Sequence, residues 1–231
     1  MDLFADRFNP IYLYFTHAVW LVLFAFALPK AWRNIKQHPH IVGIICCLFA
    51  VLWSLRASLG DGQMAGLSYH LLGMVLASLM LGVRSVFVVA SVFFLPYFWL
   101  LNPLHNLHAI SINALFLFVP SLSVAFMMQK LCRRLPKNLF IYIFINGFFA
   151  AAFSMFITGI ALISLQTALP YFDAVPLWQN AFPVFILLAW AEAFLTGLFT
   201  AIFVALKPQF LLTFNDQSYL KRQNSIWLDK E

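Results

Sequence analysis

The sequence is built from apolar runs of about twenty residues or more, separated by short polar stretches that carry most of its charge. A helix needs about 20 mostly apolar residues to cross the hydrocarbon core of a bilayer. Runs meeting that requirement lie at roughly 11–29, 40–58, 64–82, 84–101, 109–128, 138–165 and 181–206. They predict an all-α, polytopic membrane protein with about seven transmembrane helices. Composition excludes a soluble alternative. Hydrophobic residues make up 63% of the chain and charged residues 10%, whereas a soluble domain carries about a quarter charged. A 231-residue globule could not hide this much apolar surface from water. The length suits one integral-membrane domain, residues 1–231, whose final stretch, 207–231, reads as a polar cytoplasmic tail.

The formal charge of +6 does not indicate nucleic-acid binding, because the basic residues are dispersed in short clusters between apolar runs. Numbering the gaps alternately puts Lys30, Arg33, Lys36, Arg84, Lys130, Arg133, Arg134, Lys137, Lys207, Lys221, Arg222 and Lys230 on one side, and Arg7 and Arg56 on the other. The positive-inside rule then places the N-terminus outside and the C-terminus in the cytoplasm. Asp2, Asp6, Asp61 and Asp173 fall on the outer side. Tyr12, Tyr14, Trp53, Trp99 and Trp178 sit near predicted helix ends, where amphipathic rings form interfacial belts. The N-terminus lacks the features of a removable signal peptide. Cys46, Cys47 and Cys132 form neither a CxxC pair nor an even-numbered framework.

Ionisable groups within a membrane are costly, and each marks a candidate site. Glu192 lies about ten residues into the last predicted helix, with Thr196 and Thr200 on its face. The alternative is a protonated carboxyl hydrogen-bonded to a neighbouring helix. His70 lies about six residues into the third predicted helix, where Gly66, Gly73, Met74 and Ala77 would share its face. His17 is at similar depth in the first helix, and His105 and His108 lie in the outer loop between the fourth and fifth. Imidazole and carboxylate near one surface suit divalent transition metals. Against that stands the simpler reading of these histidines as satisfied interfacial polar groups. Ala189, Ala193, Gly197, Ala201 and Ala205 recur every four residues in the last helix, a stripe that permits close helix packing.

Enzymatic signatures are missing. No GxxxxGK[ST], GxGxxG, HExxH or GxSxG pattern occurs, so no enzymatic activity and no catalytic cofactor is expected. Uphill transport would draw on another chain or an ion gradient.

Gly66-Leu-Ser-Tyr-His-Leu-Leu-Gly73 and the run to Leu81-Gly82 resemble the His-containing motif of the CbiM-like permeases, the substrate-capture components of energy-coupling factor ABC transporters for cobalt and nickel. Asn113 and the run into Leu131-Cys-Arg-Arg134 resemble the family's next helix and basic loop. Glu192–Ala201 is similar to its final EGxxTA pattern, with Ala193 where Gly is common. The stretches 136–146 and 213–220 resemble a proteobacterial branch of the family. The resemblance covers roughly residues 60–220. It implies a seven-helix bundle, N-out and C-in, and a Co or Ni ion held by His70 and a threaded N-terminal segment. Those permeases begin Met-His, and the terminal amine and that imidazole complete the site. Here Met1 is followed by Asp2, so the same nitrogen cage cannot form. Asp2 would supply an oxygen and His17 a further nitrogen.

The expected function is therefore a membrane-embedded substrate-binding permease of an energy-coupling factor transporter for a divalent transition metal ion. The ion is its substrate. Met1, Asp2, His17 and His70 are the candidate ligands, and Glu192, His105, His108 and Asn113 line the candidate substrate path. Partners would be membrane lipid, a coupling transmembrane subunit and ATPase subunits, in a bacterial inner membrane. The alternative is a non-transport accessory protein for metal or haem delivery.

Overall fold

The computed structural model describes residues 3–58, 68–102, 104–169, 174–215 and 219. They form a helical bundle. Helix α1 spans Pro10–Gln37, α2 Pro39–Ser54, α3 Met74–Leu81, α4 Val83–Leu101 and α5 Ile110–Arg134. Two long apolar helices follow, α6 over Leu139–Thr167 and α7 over Ala174–Leu206. Short 3-10 turns at Ala5–Arg7, Leu104–Ala109 and Pro208–Phe210 lie outside them. Residues Ala57–Ser58 (β1) pair antiparallel with Ser68–Tyr69 (β2).

Local chemistry sets the boundaries. Asn9 caps α1, its Oδ1 accepting from the Ile11 N–H at 3.0 Å, and Pro10 occupies the first turn, where a missing N–H costs nothing. Pro39 ends that helix by pushing His38 out of the helical region (φ −130°, ψ 56°). Asn138 caps α6 in the same way, accepting from Phe140 N–H at 2.8 Å. Arg133 and Arg134 close α5, where cations oppose the negative end of the helix dipole.

Five helices are long and apolar enough to cross a membrane, and α2 is a shorter apolar helix. The third expected span differs. A continuous helix over 64–82 is not present among the described residues: α3 covers only eight residues, and the chain before it, 70–73, is non-helical. Every residue of α3 is buried. Irregular backbone at membrane depth is tolerated only when buried in protein, and here α4, α5, α6 and α7 surround it.

The packing is asymmetric. Helix α6 packs most extensively on α7 and α5, whereas α1 lies outside, against α4 and α5. Only 11% of the most apolar stretch of α1 is buried, against 50% in α4. In the last helix Ala189, Ala193 and Gly197 are buried, so this part of the small-residue stripe faces the bundle interior, with Phe148 of α6 against Gly197. A π-helical section, Tyr142–Phe149, lies opposite. There a Cβ on Gly147 would stand 3.0 Å from Thr200 Oγ1 and 3.4 Å from Gly197 Cα. Serine pairs hold other crossings, such as Ser121–Ser154 at 2.5 Å between α5 and α6.

Connections segregate to two ends. At one end the first residues meet the start of α5. At the other, Asn34 near the end of α1 donates to Ser85 at 3.2 Å, and Thr213 Oγ1 donates to the Leu79 carbonyl at 2.9 Å. The second end holds Lys30, Arg84, Arg133 and Lys137, in agreement with alternate crossing of the chain. The beginning of the polar tail is not detached from the bundle: Leu211 and Phe214 are buried there, and Tyr142 meets Thr213 at 2.7 Å.

Candidate functional site

The break before α3 leaves backbone groups that no helix satisfies, and two side chains from other helices meet that demand. The Glu192 carboxylate accepts from the N–H groups of Leu72 and Gly73, the latter at 2.9 Å. The Trp53 indole N–H donates to the Leu72 carbonyl at 3.1 Å. Gly73 adopts φ +67°, a left-handed conformation that costs any residue with a Cβ. Its Cβ would also lie 2.6 Å from Leu52 Cδ1. The helix α3 then starts with Ala77 N–H bonded to the Gly73 carbonyl at 3.1 Å.

Glu192 sits deeper than its sequence position suggested, because α7 begins at Ala174 instead of near 181. Its side chain is buried, and Thr196 and Thr200 continue its buried face. The carboxyl oxygen lies at the N-terminal end of α3, where helix termini carry partial positive charge.

The turn fixes His70. That side chain is 4% exposed, its ring centroid 6.2 Å from that of Trp53. His70 Nδ1 lies 3.0 Å from the Leu71 carbonyl. A carbonyl only accepts, so Nδ1 carries the proton in this contact. Such back-bonding is how proteins orient an imidazole toward a metal. Trp53 is the hub beneath it, 1% exposed, stacked on Phe49 at 4.7 Å and bordered by Phe93, Tyr97 and Phe118. Trp53 was expected in an interfacial belt and is instead core. Tyr12, Tyr14, Trp99 and Trp178 are exposed as a belt requires. Tyr69, the residue before His70, reaches α7, its hydroxyl donating to the Ala181 carbonyl at 3.4 Å.

A second arrangement anchors the N-terminal segment. Asn113 Oδ1 accepts from Leu3 N–H at 2.8 Å, and Asn113 Nδ2 donates to the carbonyls of Leu3 and Ala109, each at 2.9 Å. Asn106 Oδ1 accepts from Ala5 N–H at 2.6 Å, and its amide donates to Asn102 at 2.8 Å. Leu3 and Phe8 are buried. Two asparagines of the α4–α5 region thus replace the strand or helix partner that residues 3–5 lack. Met1 and Asp2 lie outside the described residues.

His17 is half-buried between α1 and α5. Its Nδ1 lies 2.7 Å from the Leu13 carbonyl and 2.9 Å from Ser111 Oγ, so by the same logic Nδ1 carries the proton. His105 and His108 are exposed on the 3-10 turn, while Asn106 between them points inward. Among the described residues, no three His, Cys, Asp or Glu side chains come together closely enough to hold a metal ion. The structure thus brings Glu192 to the His70 turn and Asn113 to the first residues. Asn106 and Trp53 carry equal weight, but Asn106 was not singled out from sequence and Trp53 was read there only as an interfacial residue. The one trace of Asn106 there was a polar amide between two histidines in an otherwise apolar stretch.

No curated protein matches the chain. A solved structure described as that of a transition metal transporter superposes with a TM-score of 0.65 over 89% of this chain and 93% of its own, at 17% identity, and so shares the fold. The family model for the cobalt uptake substrate-specific transmembrane region matches residues 7–210. That match runs from the anchored N-terminal turn through the His70 turn to the end of α7, and the chain belongs to this family of membrane metal-transport proteins.

Proposed function

We propose that this chain is the membrane-embedded substrate-binding component of an energy-coupling factor type transporter for a divalent transition metal ion, cobalt or nickel. The observation that carries the reading is the clamp of Glu192 on Leu72 and Gly73, which holds the turn after His70 rigid inside the bundle and leaves that imidazole oriented by its own backbone. His70 is the first ligand. His17 offers a second oriented imidazole, and Asp2 and Met1 precede a main chain anchored at Leu3. Asn113 serves the site by holding Leu3. His105 and His108, exposed at the outer end, form the approach.

A single integral domain, 1–231, with the tail 207–231 on the cytoplasmic side, fits a bacterial inner-membrane, multi-pass location. Separate coupling and ATPase subunits would supply the energy, since the chain carries no nucleotide-binding pattern.

Calorimetric titration of purified protein with Co²⁺ and Ni²⁺ tests the reading. Wild type is expected to bind one ion, and His70→Ala to lose at least a hundredfold in affinity while keeping its helical content. Undiminished binding by His70→Ala removes that residue from the site, and absence of binding by wild type removes the metal.

A further inference from the structure

A groove of about 590 Å³ opens between α1, α4 and α5 at the basic end of the bundle. Its walls change character with depth. Leu23 and Phe26 of α1, Phe87 of α4, and Val119 and Leu122 of α5 line the apolar part, and Lys30, Arg84 and Arg133 stand at the rim. The gradient follows helix geometry: Leu23 precedes Lys30 by two turns, about 10 Å, and Val119 precedes Arg133 by about 21 Å along α5. The Arg84 guanidinium lies 4.9 Å over the Phe26 ring, a cation–π contact that holds the charge above the apolar wall. Asn34, one turn beyond Lys30, bonds Ser85 between α1 and α4 at the same end.

All three cations are exposed. Among the described residues the only carboxylates are Asp6, in the 3-10 turn at the opposite end, and Glu192, engaged by Leu72 and Gly73. No described acidic side chain neutralises the rim.

We propose that this groove is a binding site for an anionic phospholipid, its phosphate among Lys30, Arg84 and Arg133 and an acyl chain along Phe26 and Leu122. Basic pockets between transmembrane helices on the cytoplasmic side suit anionic headgroups. A free phosphate would leave the apolar wall uncovered. A choline lipid would set its own cation against three others. Only an anionic head joined to a hydrocarbon tail complements both parts, and α1, the least buried of the long helices, leaves most of its apolar surface outside the bundle.

The test is native mass spectrometry of the full chain in detergent, titrated with phosphatidylglycerol or phosphatidylcholine of identical acyl chains. Wild type is expected to retain phosphatidylglycerol at least tenfold more tightly. R84Q/R133Q is expected to lose that preference. K130Q/R134Q, which removes the same charge from exposed positions outside the groove, is expected to keep it within twofold. The proposal is overturned if wild type shows no preference, if R84Q/R133Q keeps it, or if both double variants lose it equally. It is also overturned if the species lost in R84Q/R133Q is a dimer of the chain instead of a lipid adduct. The assay reads no metal, so its failure leaves the transport reading intact.

Discussion

Glu192 and Gly73 are joined across 119 positions of sequence by a 2.9 Å hydrogen bond from the glycine N–H to the carboxylate. The same oxygen accepts from Leu72. A residue that hydropathy alone marks as costly therefore satisfies two backbone donors that would otherwise be stranded in the bundle interior.

Glu192→Ala is expected to destabilise the protein by about 1–3 kcal/mol for each orphaned donor. Glu192→Gln keeps an acceptor oxygen and is expected to retain most of the stability. Thermal unfolding of both variants in detergent, followed by circular dichroism, measures the difference. Equal melting temperatures for the alanine variant and wild type would show that the clamp is dispensable.

Asn113 makes an analogous but separate demand. Asn113→Ala frees both polar groups of Leu3 and is expected to cost about 1–3 kcal/mol. It is also expected to expose the N-terminal segment to added protease at a rate at least tenfold above wild type. Asn113→Asp keeps the acceptor for Leu3 N–H and loses the donor to the Leu3 and Ala109 carbonyls, so its effect should fall between. Cleavage rates that do not change in the alanine variant would contradict the anchoring role.

Metal affinity is expected to fall as pH falls. Ligand imidazoles must bind the ion as neutral groups, so protons compete with it. One competing imidazole weakens binding by up to about tenfold per pH unit once it is the dominant protonated form. Calorimetric titrations with Co²⁺ between pH 7.5 and 5.5 should show this loss, and buffers of differing ionisation enthalpy should show proton release on binding. A pH-independent affinity would argue against histidine ligation.

The glycines offer an internal contrast. A Cβ on Gly159 would lie 2.5 Å from Phe185 Cγ and 2.6 Å from its Cβ, at the α6–α7 crossing. Gly159→Ala is therefore expected to destabilise by about 1–3 kcal/mol through overpacking. Gly43, in α2, has nothing within 4 Å of its ideal Cβ. Gly43→Ala is expected to be neutral or to stabilise by about 0.5–1 kcal/mol, because glycine is a poor residue in a helix interior. Melting temperatures that shift in the same direction would undo the packing argument.

The helical class and the crossing pattern were legible because they depend on run length and charge placement, both local quantities. The caps at Asn9-Pro10, His38-Pro39 and Asn138 are local patterns too, yet the first run was placed at 11–29, whereas α1 extends over Pro10–Gln37, because its last two turns are polar and hydropathy does not register them. Residues 64–82 misled as a helix because an unbroken apolar run cannot reveal backbone groups satisfied from outside it. Glu192 and His70 were found as intramembrane polar residues, but their relation was hidden, since depth along a helix follows from sequence and angular position does not. Trp53 illustrates the same limit: at a helix end it reads as interfacial, and only the tertiary position of Leu72 turns its indole inward. The asparagine anchors on residues 3–5 connect positions about a hundred residues apart, and no local pattern announces them.

The interrupted third segment also bears on how the protein is made. Synthesis delivers residues 68–81 to the bilayer long before residue 192 exists. Until then Leu72 and Gly73 have no carboxylate to receive their amide hydrogens, and exposing such groups to hydrocarbon costs several kcal/mol apiece. The segment must wait in contact with water, headgroups or insertion machinery, and it settles only when the final helix arrives. Assembly thus ends at the turn that presents His70, and a chain stalled before α7 would leave that turn without its clamp.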